Sequence, residues 1–265
     1  MQVTPKRSLG QNFLIDRNII DKICETGQIR EDDNILEIGP GTGKLTEAIL
    51  KKKPEKFYVI EKDEKLVQSL NERFSDKIIV ISHDVLKYDF KILKNKNFKV
   101  FGNLPYNISS QILTNLIKYC FNEFSFEKLI FMFQKEMADR IIAKYNTKYY
   151  GRLSIISSWK LNVKKIIDIA PSSFFPKPKI ISTLLEFTPK SEFTNLKNPE
   201  NLEKITNIFF SNKRKMINKS FKKVFKEYKY VAKKLNINLN LRPSDLQPED
   251  FYRLVEYYEK IKWTF

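Results

Sequence analysis

Short apolar runs alternate with helix-like segments through the first half of this chain, and that alternation restricts its fold more than any other feature. Runs at 34–38, 57–60, 77–82, 99–101 and 129–133 are too short for helices. The segments at 44–52, 64–74 and 111–120 repeat apolar residues at helical spacing. Strands that alternate with helices return in one direction, so the pattern predicts an α/β fold with a parallel, doubly wound sheet. Before it, Asp16 is placed to cap a helix carrying Ile19, Ile20 and Ile23, with Gly27 as its stop. After residue 140 the spacing predicts a helix over 152–160 and strands over 163–169 and 180–187, an antiparallel finish to the sheet. The polar stretch 188–200, with Pro189 and Pro199, reads as a linker, and only helical patterns follow it. The expected domains are therefore 1–190, α/β, and 191–265, small and all-α.

The 48 basic residues outnumber the 31 acidic ones, for a formal charge of +17. A polyanion is the expected partner, nucleic acid before an anionic membrane. Two cysteines, Cys24 and Cys120, make neither a disulfide framework nor a metal spacing, and the single His83 rules out His-rich zinc sites and most His-based acid–base schemes. No metal is expected. With no apolar run near the length of a membrane span and no signal segment, the expectation is a soluble, cytoplasmic monomer.

Gly39, Gly41 and Gly43 stand where the first strand of the sheet turns into a helix, and missing side chains there let a ligand approach the backbone. A phosphate-binding P-loop would need glycine at position 38 and Ser or Thr at 45, where Ile38 and Leu45 stand. A dinucleotide fingerprint would need glycine in place of Lys44. Glu61, at the end of the next strand, can accept from both hydroxyls of a ribose, and Asp84, at the end of the third, from an adenine amine; each can equally be a helix cap. The fourth strand runs into Asn103-Leu104-Pro105-Tyr106. Asn103 and the Leu104 carbonyl, left free by Pro105, are neutral acceptors beside the ring of Tyr106, a set suited to a stacked base read through its amine. The same residues also make an ordinary strand-end turn with a capping Asn. Taken together, the four strand ends are best explained by S-adenosylmethionine.

Several motifs now support a family resemblance. They are Leu9-Gly10-Gln11-Asn12-Phe13-Leu14, Glu37-Ile38-Gly39-Pro40-Gly41-Thr42-Gly43 with Leu45-Thr46, and Asn103-Leu104-Pro105-Tyr106-Asn107-Ile108-Ser109. Phe175-Pro176-Lys177-Pro178-Lys179 with Ser182, and Arg242-Pro243 with Leu246 and Pro248, follow in order. The chain resembles the small-subunit (16S) rRNA adenine N6,N6-dimethyltransferases of the KsgA/RsmA family. The resemblance implies a Rossmann-like class I S-adenosylmethionine-dependent methyltransferase. It would dimethylate two adjacent adenosines in a hairpin near the 3′ end of small-subunit rRNA, on the 30S pre-ribosomal particle, late in ribosome biogenesis. Asn12, Leu14, Gly39, Gly41, Glu61, Asp84 and Asn103 would hold the cofactor. Asn103 and Leu104 would accept from the adenine N6, Pro105 would shape the turn, and Tyr106 and Phe175 would clamp the base. His83 is the one departure, standing where the family pattern expects glycine.

In the second domain the spacing predicts one helix over 211–228. Lys215, Lys219, Lys222, Lys223 and Lys226 fall on one side of it, opposite Ile217, Phe221, Val224, Phe225 and Tyr228. This stripe, with Lys213 and Arg214 nearby, is either a solvated face or an RNA-binding surface. Two rival functions keep the same fold. One is an Erm-type large-subunit (23S) rRNA adenine methyltransferase, against which Leu104 and the Leu9-Gly10 pair speak. The other is a non-catalytic RNA-binding or assembly protein, against which the intact Asn103, Tyr106, Glu61 and Asp84 speak.

Overall fold

A computed structural model describes residues 5, 10–94, 96–119 and 124–262 of the 265-residue chain. Leu9 and Cys120, which figure in the sequence reading, lie outside the described residues. Two compact units divide the chain: 1–138 with 163–189, and 139–162 with 190–265. The expected boundary near 190 differs from this division in one segment, 139–162, which groups with the C-terminal helices.

The first unit is built on a seven-stranded sheet. Its strands are β2 (Asn34–Ile38), β3 (Lys56–Glu61), β4 (Ile79–Ser82), β5 (Asn97–Gly102), β6 (Ser125–Gln134), β7 (Leu161–Ile169) and β9 (Ser182–Pro189), in the spatial order β4-β3-β2-β5-β6-β9-β7. The pairs from β4 through β6 are parallel, and β9 runs antiparallel to β6, the expected finish. Strand order reverses at β2, which lies between β3 and β5; in open α/β sheets ligands bind outside the carboxyl ends at such a switch point. A separate two-residue strand, β1 (Phe13–Leu14), pairs antiparallel with β8 (Phe174–Phe175).

Helix α1 (Arg17–Gly27) begins where predicted: the Asp16 carboxylate accepts from the Asn18 N–H at 3.0 Å. It ends differently. Gly27 belongs to the helix and Gln28 takes the left-handed cap at φ 48°. Close packing explains the glycine, because a Cβ at Gly27 would lie 2.4 Å from the Phe101 ring on β5. The Gln28 carbonyl accepts from Lys99 Nζ at 2.8 Å, and Asp33 accepts from the same ammonium at 2.7 Å. Lys99 is only 1% exposed. A buried charge of this kind is tolerable because it is fully paired, and removing one partner typically costs about 3–5 kcal/mol.

The second unit is helical: α6 (Arg152–Lys160), α7 (Glu200–Phe210), α8 (Asn218–Val224), α9 (Tyr228–Lys234) and α10 (Pro248–Lys262). Phe209 packs edge-on against both Phe221 and Phe251, and Phe225 joins through Phe221. The 188–200 stretch is no free linker, since the buried Glu259 carboxylate accepts from the backbone of Lys197 (2.8 Å) and Asn198 (3.0 Å). The single helix expected over 211–228 is not formed. A turn at 211–217 precedes α8, and Phe225 is extended (φ −126°, ψ 129°), so the chain breaks before α9.

Candidate active site

The parallel register brings the predicted residues to one sheet edge. Ile38 pairs with Ile60 and with Gly102, so Gly39, Glu61 and Asn103 are each the next residue at, or within one step of, a common level. The Gly39 N–H extends the ladder by donating to the Ile60 carbonyl at 2.9 Å, and the His83 N–H does the same to the Glu61 carbonyl at 3.0 Å. A cavity of about 280 Å³ lies along this edge. Asn12, Leu14, Gly39, Gly41, Glu61, Asp84, Asn103, Leu104, Pro105 and Tyr106 all line it, as do Glu37, His83 and Leu86.

The two glycines assigned to the cofactor differ in what they leave room for. Gly39, at φ 68°, has nothing within 4 Å of where a Cβ would stand, so its backbone is open to the cavity. Gly41, at φ 57°, makes space for the protein: a Cβ there would meet the Phe13 ring at 2.9 Å. Glu61 is buried. Its Oε1 accepts from the N–H groups of Lys62 (2.8 Å) and Asp63 (2.9 Å), and its Oε2 from that of Gly41 (3.3 Å). Burial pushes its pKa up, against the pull of these three donors. Asp84 stands nearer the surface, where Lys62 Nζ binds it at 2.8 Å and the Leu86 N–H at 3.0 Å. The Lys62 bond holds its pKa below the usual carboxylate value.

Asn103 is oriented by a contact that sequence could not show. Its Nδ2 donates to the Asn12 carbonyl at 2.7 Å, while no hydrogen bond among the described residues takes its Oδ1 or the Leu104 carbonyl. Pro105 and Tyr106 form the turn into α4 (Ser109–Tyr119): the Ile108 N–H donates to the Pro105 carbonyl, and Ser109 Oγ to that of Tyr106. The Tyr106 hydroxyl shares a 2.6 Å hydrogen bond with Ser182 Oγ on β9, which pins the ring. A second cavity, about 360 Å³, shares Gly10, Asn12, Tyr106 and Asn107 with the first and adds Gln134. Phe175 lines neither cavity. Its ring is 58% exposed, and its backbone pairs with Phe13.

Glu37 received no role of its own in the sequence reading. It is 2% exposed, accepts from Thr46 Oγ1 at 2.7 Å, and burial raises its pKa to about 8. An acid inside a buried β-strand is itself a signal, since such residues are almost never fully buried without a partner. Ser182 carried no local signal for its bond to Tyr106, 76 residues away. The five lysines of the predicted stripe are all exposed, but only Lys219, Lys222 and Lys223 lie on α8; Lys215 precedes it and Lys226 follows it. Lys213 does not join them. Its ammonium donates to the carbonyls of Lys148 and Tyr150, both at 2.8 Å.

Residues 3–260 match the family described as ribosomal RNA adenine dimethylase. The chain belongs to that family. Among curated relatives of this dimethylase chain, the ribosomal RNA small subunit methyltransferase A of Pelagibacter ubique is 54% identical over 99% of the chain and all of the relative. That of Malacoplasma penetrans is 38% identical over 96% and 92%. A dimethyladenosine transferase from Plasmodium falciparum superposes with a TM-score of 0.77 at 26% identity, covering 94% of this chain and 98% of that one. The fold also extends to the 23S rRNA methyltransferase ErmE, at a TM-score of 0.65 and 24% identity over 94% and 100%.

The cofactor of the dimethylase family is S-adenosylmethionine. The site fits it on its own terms. Gly39 offers an open backbone, Glu61 a buried carboxylate with one oxygen only weakly engaged, and Asp84 an acceptor at the rim of the same cavity.

Proposed function

We propose that this enzyme transfers methyl groups to N6 of adenosine in small-subunit rRNA, twice on each of two adjacent residues in a hairpin near the 3′ end, within the small ribosomal particle. The observation that carries this reading is the orientation of Asn103: with Nδ2 held by the Asn12 carbonyl, its Oδ1 is left as a neutral acceptor at the cavity wall. An exocyclic amine is what such an acceptor suits.

S-adenosylmethionine supplies an electrophilic methyl group on a sulfonium. The chain's residues prepare the nucleophile. Adenine N6 is weakly nucleophilic because its lone pair is delocalised into the ring. In the first transfer Asn103 Oδ1 and the Leu104 carbonyl would each accept from one N–H of N6, and in the second one of them would accept from the remaining N–H; this draws the nitrogen towards tetrahedral geometry and frees the lone pair. Held by Gly39, Glu61 and Asp84, S-adenosylmethionine would supply the methyl group and leave as the neutral thioether, and the N6 proton would pass to solvent. No ionised base is required. Orientation is the larger contribution: holding two reactants in attack geometry can remove about 7–11 kcal/mol of barrier. Tyr106, fixed by Ser182, offers one ring face for stacking, and the exposed Phe175 ring offers a second, each worth roughly 1–3 kcal/mol. Burial raises the Tyr106 phenol pKa, so the ring stays neutral.

Glu61 and Asp84 would read the ribose and the adenine of the cofactor. Lys215, Lys219, Lys222, Lys223 and Lys226 would grip rRNA phosphates, since contacts around one flipped base cannot select a site by themselves. Labelled methyl transfer to undermethylated 30S particles and, in parallel, to 50S particles, with primer extension through both rRNAs, tests the proposal. Dimethyladenosine near the 3′ end of 16S rRNA is expected. Label confined to 23S rRNA, or no transfer at all, would overturn it.

A further inference from the structure

The second unit carries a loop whose residues line neither of the cavities described above. Residues 144–149 read Lys-Tyr-Asn-Thr-Lys-Tyr, and Tyr145 and Tyr149 are 46% and 41% exposed. The loop backbone is held at several points. Lys213 Nζ donates to the Lys148 and Tyr150 carbonyls, the Asn146 N–H to the Ser244 carbonyl at 2.8 Å, and Thr147 Oγ1 to the Lys144 carbonyl at 2.6 Å. The next residue, Tyr150, is buried and edge-on to Phe210. So a fixed backbone presents two tyrosines to solvent, with the Lys148 ammonium 5.3 Å from the centre of the Tyr149 ring.

Lys213 also joins this loop to the basic turn at 211–217, whose Arg214 and Lys215 are exposed. The loop and the turn it is tied to are thus both exposed, and between them carry cationic and aromatic side chains. Exposed apolar side chains differ in kind between the units. Among the described residues of the first they are isoleucines and Phe175; in the second they are Tyr145, Tyr149, Tyr230 and Met216. Isoleucine has no π face, whereas a tyrosine ring stacks on any base, and aromatics interleaved with lysines suit unpaired nucleotides.

We propose that Tyr145 and Tyr149 form a stacking platform for unpaired rRNA bases other than the methylated adenosines. The loop's several anchors pre-pay the ordering that a mobile loop would lose on binding. The platform rests on the rRNA reading above, and the test separates the two.

The experiment measures affinity for undermethylated 30S particles and for protein-free 16S rRNA across a salt series. It compares the wild-type chain, a Tyr145→Ala/Tyr149→Ala double variant and the corresponding double Phe variant. The Ala variant should bind both RNAs about tenfold more weakly or worse, the Phe variant should bind within about twofold of wild type, and the slope of log affinity against log salt should not change, because stacking releases no counterions. Wild-type affinity in the Ala variant, or a loss that Phe does not rescue, would overturn the platform alone. So would a loss seen on particles but not on protein-free rRNA, which would make the partner a protein. Failure of the wild-type chain to bind rRNA would overturn the rRNA reading and the platform with it.

Discussion

Glu61 takes hydrogen bonds from three backbone N–H groups, while Lys219, Lys222 and Lys223 are exposed and form no ion pair among the described residues. Both regions are proposed to anchor a ligand, yet only one is built in advance. At the strand edge the ordering cost is met on folding, so each group acts from a single geometry and its loss is felt in full. Along 215–226 the exposed side chains would order only on binding. Each should contribute a small, nearly interchangeable amount that salt can screen. A sharp site and a graded surface should thus respond differently to substitution.

The largest effect is expected at Asn103. Removing one preorganised group at a reacting centre typically costs about 10²–10³ in turnover, so single-turnover rates for Asn103→Ala should fall by that much while cofactor affinity changes little. An equal collapse of cofactor affinity would erase the distinction between binding and chemistry within the strand edge. Next comes Glu61→Ala, which should weaken S-adenosylmethionine binding roughly 10- to 150-fold by calorimetry, since hydrogen bonds to charged groups contribute about 1.5–3 kcal/mol. Asp84→Ala should lose less, because Lys62 already engages that carboxylate at 2.8 Å. Unchanged affinity in both variants would remove these acids from the cofactor site.

For the basic segment, replacing Lys215, Lys219, Lys222 and Lys226 with Gln should reduce the salt slope of particle binding by up to about 3 and leave cofactor affinity alone. An unchanged slope in a folded quadruple variant would return these lysines to solvation. Glu37 offers a pH test. Its folded pKa of about 8 lies above the ordinary 4.5, so its contribution to stability is full below pH 4.5 and is lost as pH rises towards 8. Thermal unfolding of the cofactor-free protein should therefore show Glu37→Gln gaining a few degrees over wild type near pH 8 and almost nothing near pH 4.5. A gain independent of pH would mean that the carboxyl is ionised in the fold. The smallest effect should be Tyr106→Phe: loss of the Ser182 bond costs about 0.5–1.5 kcal/mol of stability, with most activity kept, whereas Tyr106→Ala should lose activity.

The strand edge was legible because it follows from local rules. Short apolar runs mark buried strands, parallel pairing aligns their ends, and Gly39, Glu61 and Asn103 stand at those ends. The contacts that orient the groups were not legible, because Asn12 and Ser182 lie 91 and 76 residues from their partners. In the C-terminal segment the periodicity survived while the helix did not. Ile217, Phe221 and Phe225 are all buried at the predicted spacing, yet the chain turns before the first and is extended at the last, with no Gly or Pro to mark either break. The grouping of 139–162 with the second unit was hidden for another reason. Helix α6 buries Leu153, Ser154, Ile155, Ile156, Ser157, Trp159 and Lys160, nearly its whole circumference, so it has no polar stripe to show which neighbours it serves.

The two-residue strand Phe13–Leu14 has a consequence out of proportion to its length. Its immediate neighbour Asn12 supplies the carbonyl that sets the Asn103 amide, and Phe13 is the register partner of Phe175. One short stretch of backbone thus works as an interlock between the Asn103 amide and Phe175, the two groups proposed to hold the base from different sides. A chain cut just before Phe13 would keep every residue of the Asn-Leu-Pro-Tyr motif and still lose the contact that orients it.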